Sequence, residues 1–399
     1  MTAQSHLPLQ PAAAPAPAYG HAALADLLPA IAAGFGLGES DGVPATGLRL
    51  PPADRVCVFL VDGLGWELIK SHPEEAPFLT SLLPGSLAGS GRPLTAGFPA
   101  TTATSLASVG TGRPPGEHGL AGYLVRIPGE RRLMNQLRWQ PHVTPRSWQP
   151  YGTVFQRCHA AGVSTCQVSS PTFEFTPLTE VALSGGSFLG RLTGEERMDL
   201  AAERLASADR ALVYTYYSEL DGMGHRHGVA SDAWRGQLRA VDRLAQRLAE
   251  QLPPRSVLYV TADHGMVDVP DAGRLDFDAD EELRSGVLLL GGEGRARHVY
   301  AQPGAEADVL AVWRERLGRD FWVASREEAV AAGWFGPVVE DRVLGRIGDV
   351  VAAAREDGTK GTIGAVTATR REPGESTMVG LHGSMTAIEQ LVPLLEVRR

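Results

Sequence analysis

The sequence has 399 residues, of which 43% are hydrophobic and 21% are charged, and its formal net charge is −9. This composition indicates a globular protein with enough apolar material for one large α/β domain or for two domains. The acidic balance excludes broad binding to a nucleic acid polymer, which requires a basic surface. No apolar run is long enough to cross a bilayer, so we expect no membrane partner.

The N-terminus and the cysteines together predict a cytoplasmic protein. Residues 1–20 are rich in Pro and Ala and are predicted to be a disordered tail, without the basic and apolar regions of a signal peptide. The cysteines, Cys57, Cys158 and Cys166, are odd in number, and we expect reduced thiols. A Cys158–Cys166 disulfide is the alternative in an oxidising compartment. The oligomeric state stays open.

Predicted strands and helices alternate along the first two thirds of the chain. Three apolar runs are typical of buried parallel strands, namely Arg55–Val61, Ala211–Tyr217 and Ser256–Thr261. A fourth strand is predicted at Val163–Val168, and helices are predicted at His21–Leu28, Trp66–Lys70, Val154–Ala161 and Ser231–Gln251. The alternation predicts an α/β fold with a mostly parallel sheet and helices on both faces.

The pattern of predicted strands and helices changes between residues 283 and 343. Short predicted strands alternate there with short helices, which indicates a small α+β insertion that caps the site. Residues 21–282 and 344–399 are predicted to form the core. The chain is expected to return to that core with the apolar run Asp349–Ala354.

A threonine-rich segment, Gly97–Gly112, has the pattern of a helix whose first turn holds an anion. Pro99 sets an extended entry, and Thr101 or Thr102 is suited to cap the helix. The free N–H groups and the dipole of the first turn favour negative charge. A hydroxyl there, placed beside a divalent cation, could attack phosphorus, although such clusters taken alone usually cap helices.

Four motifs share one pattern, in which an apolar run is followed by Asp or His and then by glycine. They contain six residues of metal-ligand type, which are Asp62, Asp221, His225, Asp263, His264 and His382. Ligands gather at the carboxyl ends of parallel strands, where these motifs are predicted to lie. A mixture of Asp and neutral His suits zinc, and also manganese or iron. Six ligands would serve two divalent metal ions, an arrangement that supports phosphoryl transfer.

From Arg55 to His382, the order of these motifs resembles the alkaline phosphatase superfamily, in particular its nucleotide pyrophosphatase/type I phosphodiesterase branch. The resemblance implies an alkaline phosphatase-like core and a hydrolase that acts on phosphoric ester or phosphoanhydride bonds. It assigns one metal ion to Asp221, His225 and His382. It assigns the second metal ion to Asp62, Asp263 and His264.

The resemblance also implies a nucleophile and a substrate contact. In relatives the nucleophile lies nine residues before the Thr of a helix-ending Thr-Gly, here Thr111, which gives Thr102. Thr101 is the alternative candidate for the nucleophile. In relatives a Phe-Pro pair follows the nucleophile, whereas here Phe98-Pro99 precedes it. Many diesterases place an asparagine against phosphate where this sequence has Tyr123, so Tyr123 is the candidate substrate-binding residue.

The sequence therefore predicts a dimetal phosphoesterase that hydrolyses a small-molecule phosphodiester or a nucleotide pyrophosphate through a phosphothreonine intermediate on Thr102. A phosphomonoesterase of the same superfamily is the first alternative. The second alternative is a non-catalytic metal-binding protein that retains the fold.

Overall fold

The structure, a computed structural model, describes residues 13–86 and 89–399. Its strands are β1 Arg55–Val61, β2 Arg92–Thr95, β3 Leu124–Arg126, β4 Leu133–Asn135, β5 Ser164–Ser169, β6 Ser187–Gly190, β7 Ala211–Tyr217, β8 Ser256–Ala262, β9 Val267–Asp268, β10 Arg274–Asp276, β11 Val287–Glu293, β12 Ala296–Ala301, β13 Phe321–Ser325, β14 Val350–Ala354, β15 Ala365–Thr367, β16 Gly380–Leu381 and β17 Leu391–Arg398.

The α-helices of the described chain are α1 Leu27–Gly34, α2 Trp66–Ser71, α3 Pro77–Ser81, α4 Thr102–Thr111, α5 Pro115–His118, α6 Pro145–Trp148, α7 Val154–Ala160, α8 Pro177–Ala182, α9 Gly194–Ala206, α10 Glu219–His227, α11 Asp232–Glu250, α12 Glu281–Arg284, α13 Glu306–Leu317, α14 Arg326–Ala331, α15 Asp341–Leu344, α16 Pro373–Ser376 and α17 Ala387–Gln390. Short 3-10 helices occur at Leu24–Asp26, Glu39–Asp41, Pro171–Phe173 and Asp271–Gly273. Among the described helices, none has both the length and the apolar character needed to cross a membrane.

A seven-stranded sheet with the order β2-β17-β8-β1-β7-β5-β6 forms the centre of the molecule. The five strands from β8 to β6 are parallel to their neighbours, and β17 is antiparallel to both β8 and β2. The predicted α/β fold with a mostly parallel sheet is therefore confirmed.

The three central strands end level with one another. Val61, the last residue of β1, pairs with Tyr217 of β7 and with Ala262 of β8. All three strands are buried on both faces apart from Arg55, which explains their continuous apolar sequences. The motifs that follow these strands are consequently brought to one edge of the sheet.

Helices cover both faces of this sheet, as predicted. Alternate residues of a strand point to opposite faces. Tyr216 of β7 lines a cavity together with Leu106 of α4 and Leu178 of α8. Its neighbour Tyr217 lies on the other face, where its ring is close to the first residue of α9, Gly194. The threonine-rich helix α4 therefore covers the same face of the sheet as Tyr216.

A second sheet has four strands in the order β11-β12-β14-β13, all antiparallel to their neighbours. The prediction that Asp349–Ala354 returns to the central sheet is wrong, because Val350–Ala354 is β14 and pairs with β12 and β13. An apolar strand pattern predicts burial but does not specify which sheet the strand joins. The small sheet thus extends past residue 343, and the division at 283–343 as a domain boundary stays a prediction.

The N-terminal segment differs in part from its prediction. Residues 1–12 of the predicted disordered tail lie outside the described residues. Tyr19, within the remainder of that tail, is held by two hydrogen bonds: its hydroxyl donates to the Trp334 carbonyl and accepts the Phe98 N–H, at 3.1 and 3.0 Å. The helix predicted at His21–Leu28 begins later, as a 3-10 turn followed by α1.

The cysteines agree with the expected reduced state. Cys57, Cys158 and Cys166 are buried free thiols, so the alternative Cys158–Cys166 disulfide is absent. A cytoplasmic location stays a prediction.

Candidate active site

One group of candidate metal ligands consists of Asp221, His225 and His382. Asp221 and His225 lie one turn apart on the same side of α10, because residues four apart on a helix share a face. The His225 Nε2 atom is 3.4 Å from Asp221 Oδ2, and His382 Nε2 is 4.0 Å from Asp221 Oδ1. The three candidate ligand atoms all lie within 4.8 Å of one another. The structure therefore brings together the three residues assigned to the first metal ion.

A second group surrounds His264, directly after β8. His264 Nε2 is 3.3 Å from Asp62 Oδ1 and 3.7 Å from Asp263 Oδ2. Asp221 also approaches this group, with its carboxylate within 4.8 Å of the ligand atoms of Asp62 and His264. The His264 and His382 rings stack with their centroids 3.6 Å apart, so the two groups adjoin each other. All six predicted ligands meet at one edge of the sheet.

Glycine is required where these motifs approach each other. Gly63, the residue after Asp62, has φ +75°, and a side chain there would lie 3.2 Å from the Asp221 Cα. A residue without a Cβ adopts this left-handed conformation without strain. The Asp-Gly pattern found in the sequence is thus explained by the close approach of β1 and α10.

The three histidines are oriented in a way that suits metal binding. The Nδ1 atoms of His225, His264 and His382 lie 2.8–2.9 Å from the backbone carbonyls of Gly380, Gly265 and Ala100, respectively. A neutral imidazole that donates from Nδ1 keeps its Nε2 lone pair free. Such a hydrogen bond to a carbonyl fixes the tautomer and the ring orientation of ligating histidines.

The carboxylates of the site are also arranged in a way that suits metal binding. Asp62 Oδ1, Asp221 Oδ1 and Asp263 Oδ2 are buried and have no hydrogen-bond partner among the described residues. The other Asp263 oxygen accepts the N–H groups of Gly63 and His264, both at 3.1 Å, and Tyr216 donates to the other Asp62 oxygen. Buried polar atoms are normally paired. Three unpaired carboxylate oxygens beside three imidazole Nε2 atoms fit divalent cations.

This clustering predicts how the stability of the metal-free protein depends on pH. Burial, and then the negative charge of Asp62, raise the pKa of Asp263 from 3.8 to about 7. The folded state therefore holds a proton that the unfolded state releases, so the free energy of unfolding decreases as pH rises through this window. We expect the Tm of the chelator-treated protein to fall between pH 4 and pH 7.

The control for this prediction is Asp263→Asn, which removes the titrating group and should flatten the slope. Thermal unfolding of both proteins across the same pH series measures the effect. A Tm of the metal-free parent protein that rises through this window would contradict the prediction.

Thr102 and Thr101 occupy different positions at the start of α4. Thr102 is the first residue of the helix and is half-buried, and its hydroxyl is 3.3 Å from His264 Nε2. Thr101 is the N-cap residue and is 3% exposed, and it lies near the Glu293 carboxyl. Both residues line the cavity beside the metal-ligand groups. Thr102 is therefore the one whose hydroxyl touches a candidate ligand.

A cavity of about 610 Å³ opens from the two ligand groups. Asp62, Asp221, His225 and His382 line it at one end. Tyr123 lines the wall of this cavity and is half-buried. Its predicted contact with the substrate stays a prediction.

Two residues at the site were not predicted from the sequence. Glu293 ends β11 of the small sheet, lines the cavity, and has its Oε2 atom 3.8 Å from His382 Nδ1. Burial raises its pKa to about 8. Tyr216 donates its hydroxyl to Asp62. Neither residue belongs to a motif, and only the fold places them against the ligands.

Comparison with known proteins identifies the family and the fold of the chain. The sequence model of the family "Type I phosphodiesterase / nucleotide pyrophosphatase" matches residues 56–385, which is most of the chain. The chain belongs to this family. The predicted membership is confirmed, and it makes the protein a hydrolase of phosphoric ester or phosphoanhydride bonds. No curated protein gives a significant match in sequence.

Solved structures with the same fold extend over nearly the whole chain. One is murine ectonucleotide pyrophosphatase/phosphodiesterase 5, an inactive variant in complex with AMP, at 18% identity and TM-score 0.65, covering 86% of this chain and 87% of that one. Another is phosphonoacetate hydrolase from Sinorhizobium meliloti in complex with phosphonoacetate, at 17% identity and TM-score 0.63, covering 87% of this chain and 91% of that one. At these identities the likeness establishes the fold.

Proposed function

We propose that the protein hydrolyses a phosphodiester or a nucleotide pyrophosphate linkage with Thr102 as the nucleophile and two divalent cations as cofactors. The observation that carries this proposal is the position of the Thr102 hydroxyl, 3.3 Å from His264 Nε2 at the N-terminus of α4. There it lies beside the ligand group that contains His264, and it lines the cavity.

The cations would be held by Asp221, His225 and His382 on one side and by Asp62, Asp263 and His264 on the other. The mixture of imidazole and carboxylate ligands favours zinc, with manganese and iron as alternatives. When bound, the cations would lower the pKa of nearby hydroxyl groups and offset charge on the phosphate oxygens.

Hydrolysis would proceed through two successive displacements at phosphorus, the first by Thr102 and the second by water. The Thr102 oxygen gives up its proton and attacks phosphorus, the bond from phosphorus to the leaving oxygen breaks, and that oxygen takes up a proton as the alcohol of a diester, or the phosphate of a pyrophosphate, departs. A threonyl phosphoester that still carries the second ester group results. Water attacks this phosphoester in turn and regenerates the Thr102 hydroxyl. The first N–H groups of α4 lack helical acceptors and are suited to hold a phosphate oxygen.

The charges around the cavity favour a diester over a monoester. Arg138 is the only Arg or Lys among the described residues that line the cavity, and it is exposed. A monoester dianion carries about one more negative charge than a diester at neutral pH, and its recognition calls for additional cationic groups. The cavity also extends well beyond the ligand groups and leaves room for an ester substituent.

Hydrolysis of bis(para-nitrophenyl) phosphate beside para-nitrophenyl phosphate tests this proposal, using protein loaded with zinc or manganese. We expect kcat/KM to be at least about tenfold higher for the diester, because exposed Arg138 is the only cationic side chain among the described lining residues that could receive the second charge. Asp263→Ala, as the control, should lose the activity. Faster hydrolysis of the monoester would contradict the proposal and would indicate a phosphomonoesterase.

A further inference from the structure

A short backbone loop, residues 96–101, connects β2 to the helix that carries Thr102. We call it the nucleophile loop, because Thr102 follows it directly as the first residue of α4. Three of its N–H groups donate to other segments of the chain: Ala96 to the Gln390 carbonyl, Phe98 to the Tyr19 hydroxyl and Ala100 to the Gly383 carbonyl, at 2.8, 3.0 and 2.9 Å. The position of Thr102 therefore depends on the groups that hold this loop.

The middle of the nucleophile loop is held by a side chain from the N-terminal segment. The Tyr19 hydroxyl accepts the Phe98 N–H and donates to the Trp334 carbonyl. Burial raises the pKa of this hydroxyl above its usual value, so it keeps its donor proton at neutral pH. Phe98 is 0% exposed, and a buried N–H group that loses its acceptor has no water to replace it. One oxygen atom thus satisfies two backbone groups from distant parts of the chain.

The Phe98 side chain packs on the same partner. Its ring centroid lies 5.2 Å from that of Trp334 and 5.4 Å from that of Phe335, in the connection between α14 and α15. These rings belong to one apolar cluster with Val351 of β14, in the small sheet. The ring and the N–H of Phe98 therefore both fix the nucleophile loop against the small sheet, and the second contact passes through Tyr19.

Tyr19 is itself held on both sides along its chain. The Ala18 N–H donates to Thr95 Oγ1, and the Thr95 N–H donates to the Ala22 carbonyl, both at 2.8 Å. The Gly20 carbonyl accepts the Gly47 N–H at 2.6 Å. Thr95 is the last residue of β2, directly before the nucleophile loop. The segment that carries Tyr19 is consequently attached at the start of the same loop that its hydroxyl holds in the middle.

We infer that Tyr19 is a positioning residue for the nucleophile, because its hydroxyl fixes the loop that places the Thr102 oxygen for attack on phosphorus. This inference rests on the proposed function and adds to it a residue that precedes the part of the chain matched by the family model, residues 56–385. Tyr19 is not among the described residues that line the cavity, so it acts through the loop. A displacement of about 1 Å in a reacting group lowers a rate by about 100-fold.

The competing explanation is that Tyr19 only anchors the N-terminal segment, and Tyr300 provides a matched control for it. The Tyr300 hydroxyl also accepts one backbone N–H, from Arg126 at 2.9 Å, and donates to one backbone carbonyl, that of Arg346. Tyr300 is buried in β12 and is not among the described residues that line the cavity. Tyr300→Phe therefore removes the same pair of hydrogen bonds at a place that does not hold the nucleophile loop.

Hydrolysis of bis(para-nitrophenyl) phosphate by metal-loaded Tyr19→Phe and Tyr300→Phe tests the inference. We expect Tm to fall in both variants, since each leaves one backbone N–H and one carbonyl unpaired. Only Tyr19→Phe should lower kcat, by about 10- to 100-fold, with KM changed by less than about threefold because the lining of the cavity is unaltered. A parent-like kcat for Tyr19→Phe, or an equal loss of kcat in both variants, would overturn the inference.

Amide hydrogen exchange provides a measurement that does not depend on turnover. The Ala100 N–H donates to the Gly383 carbonyl, and neither group is changed by the substitution of Tyr19. If Tyr19 holds the loop, this amide should exchange at least about tenfold faster in Tyr19→Phe than in the parent protein, and at the parent rate in Tyr300→Phe. Unchanged exchange of Ala100 in Tyr19→Phe would show that the hydroxyl does not fix the loop, and would also overturn the inference.

Failure of this inference is distinguishable from failure of the proposed function. If the parent protein hydrolyses the diester and Tyr19→Phe keeps the parent kcat, only the positioning role is wrong. If the parent protein hydrolyses neither the diester nor para-nitrophenyl phosphate, both proposals fail.

Discussion

Thr102→Ala is expected to lower kcat/KM for a phosphodiester by at least about 10³-fold, because the variant lacks the attacking oxygen. The substitution removes only a hydroxyl and a methyl group at the first position of α4, where alanine is well tolerated in a helix. The ligand groups keep all their members. Steady-state hydrolysis together with metal analysis checks the result.

Two neighbouring substitutions sharpen this test. Thr102→Ser retains a hydroxyl and should keep a measurable fraction of the activity, which a purely structural role of the threonine would not require. Thr101→Ala removes a hydroxyl that lies near the Glu293 carboxyl and should lower activity much less than Thr102→Ala. A parent-like rate for Thr102→Ala combined with an inactive Thr101→Ala would assign the nucleophile to Thr101.

Asp221→Asn is expected to affect both candidate metal sites at once. Asp221 is the only residue that belongs to both groups of ligand atoms lying within 4.8 Å of one another. Replacing its carboxylate by a neutral amide removes a charged ligand, so we expect bound metal to fall well below two ions per chain and kcat/KM to fall by at least about 10³-fold. Elemental analysis after dialysis and the diesterase assay measure the two losses.

The same substitution should have the opposite effect on the metal-free protein. Asp62, Asp221 and Asp263 converge without a cation between them, and removing one charge relieves their repulsion. We therefore expect the Tm of chelator-treated Asp221→Asn to be higher than that of the parent. Asp232→Asn makes the same chemical change on an exposed carboxylate and should alter neither metal content nor activity. A variant that kept two ions per chain would contradict the assignment of Asp221.

The ligand set could be predicted because each member follows a recognisable local pattern. Asp62 and Asp263 come directly after continuous apolar strands, and parallel strands of this type bring their carboxyl ends to one edge of a sheet. Asp221 and His225 are four apart, which gives them a common face once the segment forms a helix. Local periodicity and the rules of open α/β sheets were sufficient for these residues.

Other parts of the site depend on contacts that no local pattern encodes. The strand at Val163–Val168 was predicted nearly where β5 occurs, but the pattern did not indicate that Gln167 lies beside the cavity. Glu293 reaches the site from the small sheet, whose position over the ligands is a tertiary feature. Val350–Ala354 was predicted in the wrong sheet for the same reason, because a buried apolar strand pattern does not specify which of two sheets the strand joins.

The measurement that tests the central claim most directly is identification of the residue that becomes covalently modified during turnover. Metal-loaded protein is quenched in acid while it hydrolyses bis(para-nitrophenyl) phosphate, and its peptides are analysed by mass spectrometry. We predict a nitrophenylphosphoryl group on Thr102 and on no other residue. The same group on Thr101 or elsewhere, or rapid product formation without any modified peptide, would contradict the account.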